Sequence, residues 1–221
     1  TSIAKNKDGT LISYLVSSDR GSSVYTINQK ETIFIESSPF KEWILSYGGD
    51  TLYATTKPSA YLEGQTVRLP FFEYMVGQKT GLMTTPGEGP SLFIHSMWSK
   101  TGLKTFISSE GKQNILSIRT ISSKCAWGNK QFLVCSIPDT IPRSSEGIPD
   151  DWFQGRVSFN DSLFTIDYQT GTASALYYFT KEQGKFDITN ITLSKENTLL
   201  VFTKKQDNTL WLLDTTLIEN R

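Results

Sequence analysis

The stretch GDTLYATT, residues 49–56, reads as a turn, Gly49-Asp50-Thr51, followed by a short apolar strand. The same reading recurs along the chain: Asp8-Gly9-Thr10 before LISYLV, Gly89-Pro90-Ser91 before LFIHS, Gly128-Asn129-Lys130-Gln131 before FLVCSI, and Glu196-Asn197-Thr198 before LLVF. The first strand residues, Leu11, Leu52, Leu92, Phe132 and Leu199, are separated by 41, 40, 40 and 67 positions. Three near-equal steps mark an internal repeat, which outranks local patterns in deciding the fold. The long fourth step holds an interruption from residue 138 to 158 that carries Pro138, Pro142 and Pro149, residues a strand ladder excludes from its interior.

Outward from these strands, a second strand is expected at Val24–Asn28, Leu163–Asp167 and Leu210–Asp214, with Leu103–Ile107 as a weaker equivalent. A further one is expected at Thr32–Ile35, Ile115–Ile118 and Ala175–Tyr178. No segment sustains a helical period beyond two turns. Units of about 40 to 45 residues with four antiparallel strands predict an all-β propeller of about five visible blades. A sandwich or open barrel would also use short strands, but needs no fixed period. The blades are expected at 1–38, 39–82, 83–120, 121–181 with the insertion at 138–158, and 182–221. The last unit lacks a clear outermost strand and the first opens on its innermost one, so the chain is expected to be the C-terminal part of a larger propeller. Trp43, Trp98, Trp127 and Trp211 fall near strands and are expected to fill the wedges between blades.

Composition limits the function. Of 221 residues, 22 are Lys or Arg and 22 Asp or Glu, so the net charge is zero and no global field exists to attract nucleic acid. Thirteen Phe, nine Tyr and five Trp among many Thr and Ser favour strands. No signal peptide and no run of about 18 apolar residues is present, so any membrane anchor is expected upstream of this chain. With one histidine, His95, and two cysteines, neither a metal site nor a cofactor is expected.

Three segments carry a resemblance: SKCAWGNKQFLVCSIP, IPDDWFQGRVSFNDSLFTIDYQTG and LLVFTKKQDNTLWLLD. Together they resemble the C-terminal half of WD40-like and TolB-like bacterial β-propeller proteins, often envelope-anchored, and KEWILSYGGDTLYATTKPSAYLEG resembles their preceding blade. The resemblance implies an extracytoplasmic domain, at the cell surface or in the periplasm, and brings no catalytic residues with it. Cys125 and Cys135 flank the turn at Gly128-Asn129-Lys130. If Trp127 pairs with Gln131, the cysteines are diagonal neighbours about 7 Å apart, which a one-residue bulge would shorten to disulfide distance. That geometry leaves a disulfide and two buried thiols both open, and the resemblance implies the disulfide.

The insertion offers the best candidate surface, since so long a loop in a compact repeat usually has a function or is disordered. Its residues Asp150, Asp151, Trp152, Gln154 and Arg156 combine carboxylates, a stacking ring, an amide and a guanidinium, as a polar ligand site does. The competing reading is that Trp152 and Phe153 only pin the loop while Asp150 caps a turn. The expected function is a non-enzymatic binding or scaffold propeller outside the cytoplasmic membrane. It would contact a protein or an envelope glycan through this loop and the blade turns, and lose affinity on Trp152→Ala. The alternative is a propeller-based hydrolase or lyase acting on a glycan or peptide, with Asp150 or Asp151, His95 and Arg156 as its groups. Against it, adjacent carboxylates in an extended segment point apart, Asp161, Asp167, Asp187 and Asp207 are expected in turns, and no hydrolase or phosphate-binding motif occurs.

Overall fold

A computed structural model describes residues 2–89, 91–129, 131–143 and 147–217. Pro90 and Lys130 of the repeated turns lie outside the described residues. The chain forms an all-β propeller arrangement of five antiparallel sheets in sequence order. The first contains β1 (Ile3–Lys5), β2 (Ile12–Ser18), β3 (Gly21–Ile27) and β4 (Thr32–Ser38). The second contains β5 (Trp43–Gly48), β6 (Thr51–Thr56), β7 (Glu63–Arg68) and β8 (Glu73–Thr80). The third contains β9 (Met83–Pro86), β10 (Phe93–Ser99), β11 (Gly102–Ser109) and β12 (Lys112–Ile115). The fourth contains β13 (Cys125–Trp127), β14 (Phe132–Pro138), β15 (Asp161–Asp167) and β16 (Ala173–Tyr177). The fifth has three strands among the described residues, β17 (Ile188–Leu193), β18 (Leu199–Lys204) and β19 (Thr209–Asp214). One short helix, α1 (Asp150–Phe153), interrupts the fourth sheet between β14 and β15.

The inner strands touch in chain order: β1 against β5, β5 against β9, β9 against the 3-10 turn Ser122–Lys124 that leads into β13, and that turn with β13 against β17. Each repeated turn joins an inner strand to the strand beside it, so the repeat places one turn per blade at the same end of the central axis.

Strand alternation builds the wedges between blades, because successive side chains face opposite neighbours. On β6, Leu52 and Ala54 pack against Leu15 and Val24 of the first sheet, while Tyr53 packs against Phe93 of the third. On β14, Leu133 and Cys135 join Ile94 and Ile107, while Val134 joins Phe202 of the fifth sheet and Phe186 just before β17. Trp43, Trp127 and Trp211 belong to these wedges, whereas Trp98 packs against the insertion. The outward faces of the two end sheets stay apolar and open: Ile3 is 69% and Phe34 54% exposed on one, Leu210 75% and Leu212 63% on the other.

Three local expectations need correction. Trp127 pairs with Leu133, not Gln131, because the amide of Gly128 bonds the carbonyl of Phe132 and lengthens the turn. Cys125 therefore stands directly opposite Cys135, with Cα atoms 4.1 Å apart, and the two form a disulfide. Pro138 is accepted as the last residue of β14, opposite Asp161, where a ladder end tolerates the missing N–H. The strand expected at Ile115–Ile118 ends at Ile115, and Leu116 and Ile118 turn in to pack against the disulfide. Replacing both cysteines by serine is expected to lower unfolding free energy by about 2–4 kcal/mol, read as a shift in the urea midpoint.

Candidate functional site

The insertion crosses one end of the axis and ties four sheets together. Gly147 lies where any side chain would meet the Trp98 ring and Ala60, with a φ of +103° open to glycine. Asp150, the first residue of α1, accepts a hydrogen bond from the Ala60 amide in the β6–β7 connection. Asp151 is buried and pairs with the Arg156 guanidinium at 3.2 Å. From the fifth sheet, Lys205 donates to the Trp152 carbonyl and stands 4.2 Å from the centre of its ring. Ile148, Trp152 and Phe159 complete a small core with Met83, Leu103 and Ile121.

Beneath this core lies a fully buried charge cluster. The Lys124 ammonium donates to Asp161 Oδ2 at 2.5 Å and to Asp187 Oδ1 at 2.6 Å. Asp187 also accepts from Trp152 Nε1 at 3.0 and 2.9 Å, from Ser158 Oγ at 3.2 Å and from the Phe159 amide at 3.1 Å. Asp161 Oδ2 accepts from the Ile188 amide at 2.7 Å, and its Oδ1 has no partner among the described residues. Burial pushes the Asp161 carboxyl up from its ordinary value, although Lys124 pulls the other way. Lys205 is pushed down, chiefly by its own desolvation.

The insertion walls a cleft of about 410 Å³. Ile44, Met83, Ser123 and Thr189 stand in the N-terminal halves of the inner strands or in the turn before them, so the cleft occupies that end of the axis. Its exposed surface is mainly apolar, from Ile44, Pro58, Met83, Trp152 and Phe153, while Thr55, Thr84, Ser123, Thr189, Asn190 and Lys205 supply polar groups. Asn190 lies in a bulge of β17 with a φ of +52°, which fits the tolerance of asparagine for the left-handed region.

The opposite end carries more charged and polar groups and is built from the repeated turns. Lys5, Asp8, Gly49, Glu88, Asn129 and Asn197, from five sheets, face a cavity of about 400 Å³. Lys7 and Glu88 form an ion pair at 2.5 Å, Asn6 donates to Asp50 at 2.7 Å, and the Asn129 amide donates to Asn197 Oδ1 at 3.2 Å.

The five residues expected to bind a ligand are thus divided by the fold. Trp152 is 4% exposed, with the Lys124 and Lys205 ammonium groups near its ring and its N–H bonded to Asp187, and it also borders the cleft. Asp150 and Asp151 open a helical turn rather than an extended segment and bond different partners. Gln154 and Arg156 are exposed, and Phe153, at 51%, presents the open ring on the cleft. Sequence reading missed Lys124, Asp161 and Asp187. Asp167 and Asp207 do cap turns, through the amides of Gln169, Thr170 and Thr209, but Asp161 and Asp187 turn inward.

The groups named for the enzyme alternative do not converge. His95 is buried in the third sheet, stacked on Phe106 at 5.2 Å and bonded through its ring nitrogens to Gln113 and Ser108. Burial, with help from Lys79, lowers its pKa to about 3, far from that of an effective general base at neutral pH. In the unfolded chain the imidazole takes a proton below about 6.5, whereas the folded one stays neutral down to about 3. The unfolded state binds more protons across that window, so stability is expected to fall as pH drops through it. Urea titrations from pH 7 to 4 check this. His95→Gln should flatten the fall and isolate it from Asp161, whose upward shift acts in the opposite sense.

Neither a protein-family model nor a curated protein matches the chain. Solved structures do. The chain is similar to TolB from Acinetobacter baumannii at 14% identity and a TM-score of 0.62, over 97% of this chain and 51% of that one. It is similar to an acylaminoacyl peptidase from Pyrococcus horikoshii at 10% identity and a TM-score of 0.60, over 97% and 37%. An oligogalacturonate lyase from Vibrio parahaemolyticus follows at 10% identity and a TM-score of 0.56, over 95% and 64%. The chain spans about half the length of the TolB chain, and likeness at these identities shows the fold alone.

Proposed function

We propose that the protein is a binding propeller that takes a protein segment into the cleft beside the insertion. One observation carries this reading. The exposed surface of the cleft is mainly apolar, contributed by Ile44, Pro58, Met83, Trp152 and the half-exposed Phe153 ring, although six of the eleven lining residues, Asn190 and Lys205 among them, are polar and available to fix orientation. Such a lining suits an apolar anchor side chain of a peptide better than a glycan, whose hydroxyls need many more hydrogen-bond partners. The insertion supplies the wall, and the buried cluster beneath holds it in place.

The Cys125–Cys135 disulfide supports an oxidising, extracytoplasmic site of action. No helix among the described residues is long and apolar enough to cross a membrane. Thiol trapping with an alkylating agent at the moment of cell lysis tests the compartment: the two cysteines should be unreactive until a reductant is added.

Selection from a displayed peptide library tests the binding, with a glycan array run in parallel. Enriched peptides sharing an apolar anchor are expected, with at least about tenfold weaker binding to Phe153→Ala, the loss of roughly 1.4 kcal/mol of contact. The half-exposed ring can be removed with little change in thermal midpoint, so loss of binding would not reflect unfolding. Equal binding by Phe153→Ala, or enrichment on the glycan array alone, would overturn the reading.

A further inference from the structure

The cluster of Lys124, Asp161 and Asp187 has more organisation than a salt bridge requires. All three side chains are buried, and two aromatic rings, Phe159 at 4.6 Å and Trp152 at 5.4 Å from the ammonium, line the nitrogen. The two carboxyls are held differently. Asp187 is fixed through both oxygens by the Trp152 indole, the Ser158 hydroxyl and the Phe159 amide. Asp161 is fixed through Oδ2 only, its Oδ1 has no partner among the described residues, and burial favours its protonated form. One amine therefore lies against one acid and one anchored hydrogen-bond acceptor, in a site closed to solvent.

We propose that Lys124 and Asp161 condense spontaneously into a side-chain amide, with Asp187 accepting the proton. The Lys124 ammonium passes a proton to Asp187, 2.6 Å away, which frees the nitrogen lone pair. Nζ then attacks Cγ of Asp161, one covalent bond beyond the oxygen it already touches at 2.5 Å. As the C–N bond forms, the Cγ–O bond to the acid oxygen breaks. The departing hydroxyl takes a proton from the nitrogen through Asp187 and leaves as water. Ammonium, carboxylic acid and carboxylate become amide, water and a protonated Asp187, so atoms and charge balance and no oxidant or cofactor is consumed. The product replaces three buried ionisable groups by a neutral pair, which removes the desolvation cost of a buried ion pair. Fixed placement of nucleophile and acid supplies the proximity that an uncatalysed condensation lacks.

The bond would join the turn before β13 to the first residue of β15, closing the fourth sheet across the base of the insertion. It is independent of whether the cleft binds a peptide. Intact-mass spectrometry of the full chain tests it: the denatured protein should be lighter by one water than its disulfide-bonded sequence, with a branched peptide linking Lys124 to Asp161 in the digest. Lys124→Arg and Asp187→Asn should have their full masses. Asp161→Asn should still condense, losing ammonia instead of water, and so should match the mass of the condensed wild type. A wild-type chain at its full mass, or a branch at other residues, overturns the proposal. A condensed Asp187→Asn variant overturns the role of Asp187.

Discussion

Trp152→Ala is expected to lower the stability of the protein by about 3–5 kcal/mol, the range for deleting a large buried aromatic. The ring packs with Phe153 and Phe159 at centroid distances of 5.1 and 6.2 Å, and ammonium groups of Lys124 and Lys205 lie over it. Its N–H serves both oxygens of Asp187. Truncation therefore opens a cavity and leaves a buried carboxylate short of a donor, two costs that add. Urea unfolding should show the loss in the midpoint, and limited proteolysis should find new cuts between residues 147 and 159. Stability near that of the wild type would remove Trp152 from the core. The expected result also changes the use of this variant: loss of binding by Trp152→Ala would report an unpinned insertion, so Phe153→Ala is the informative substitution at the cleft.

Asp187→Ala is expected to cost about 3–5 kcal/mol as well, by removing one side of the buried cluster and leaving Lys124 an uncondensed, incompletely paired ammonium. It leaves Lys124 with a single carboxylate and orphans the Trp152 indole and the Phe159 amide. A second variant separates the two contributions. Replacing Lys124, Asp161 and Asp187 together by Met, Leu and Leu removes the uncompensated charge, and a buried pair replaced by apolar residues is often close to neutral. Recovery should nevertheless be partial, because Asp187 also receives hydrogen bonds that no leucine can accept. Full recovery in thermal unfolding would show that the hydrogen bonds Asp187 receives add nothing to stability.

The disposition of these residues explains where sequence reading succeeded. The repeat at 40 residues was legible because each blade must present the same turn and the same alternating strand to its neighbours. Leu52, Tyr53 and Ala54 obey that rule, facing two different blades in turn. The disulfide was legible only as a possibility, since two residues of turn length after Trp127 decide whether Cys125 faces Cys135 or lies diagonal to it. At the insertion, residue type suggested a ligand site, and burial set Trp152 mostly inside the protein, which no pattern in the sequence reports across a loop.

Lys124, Asp161 and Asp187 mark the limit most clearly. Each looks like an ordinary surface or turn residue, and their separations of 37 and 63 positions from the lysine carry no motif. They meet because the turn before β13, the start of β15 and the entry to β17 converge where two blades and the insertion close over one another. Local chemistry, being periodic, dictated strands, turns and blade order. The cleft, the half-exposed Phe153 and the buried cluster depend on which distant segments exclude water together, a property of the folded surface that no single stretch of chain possesses.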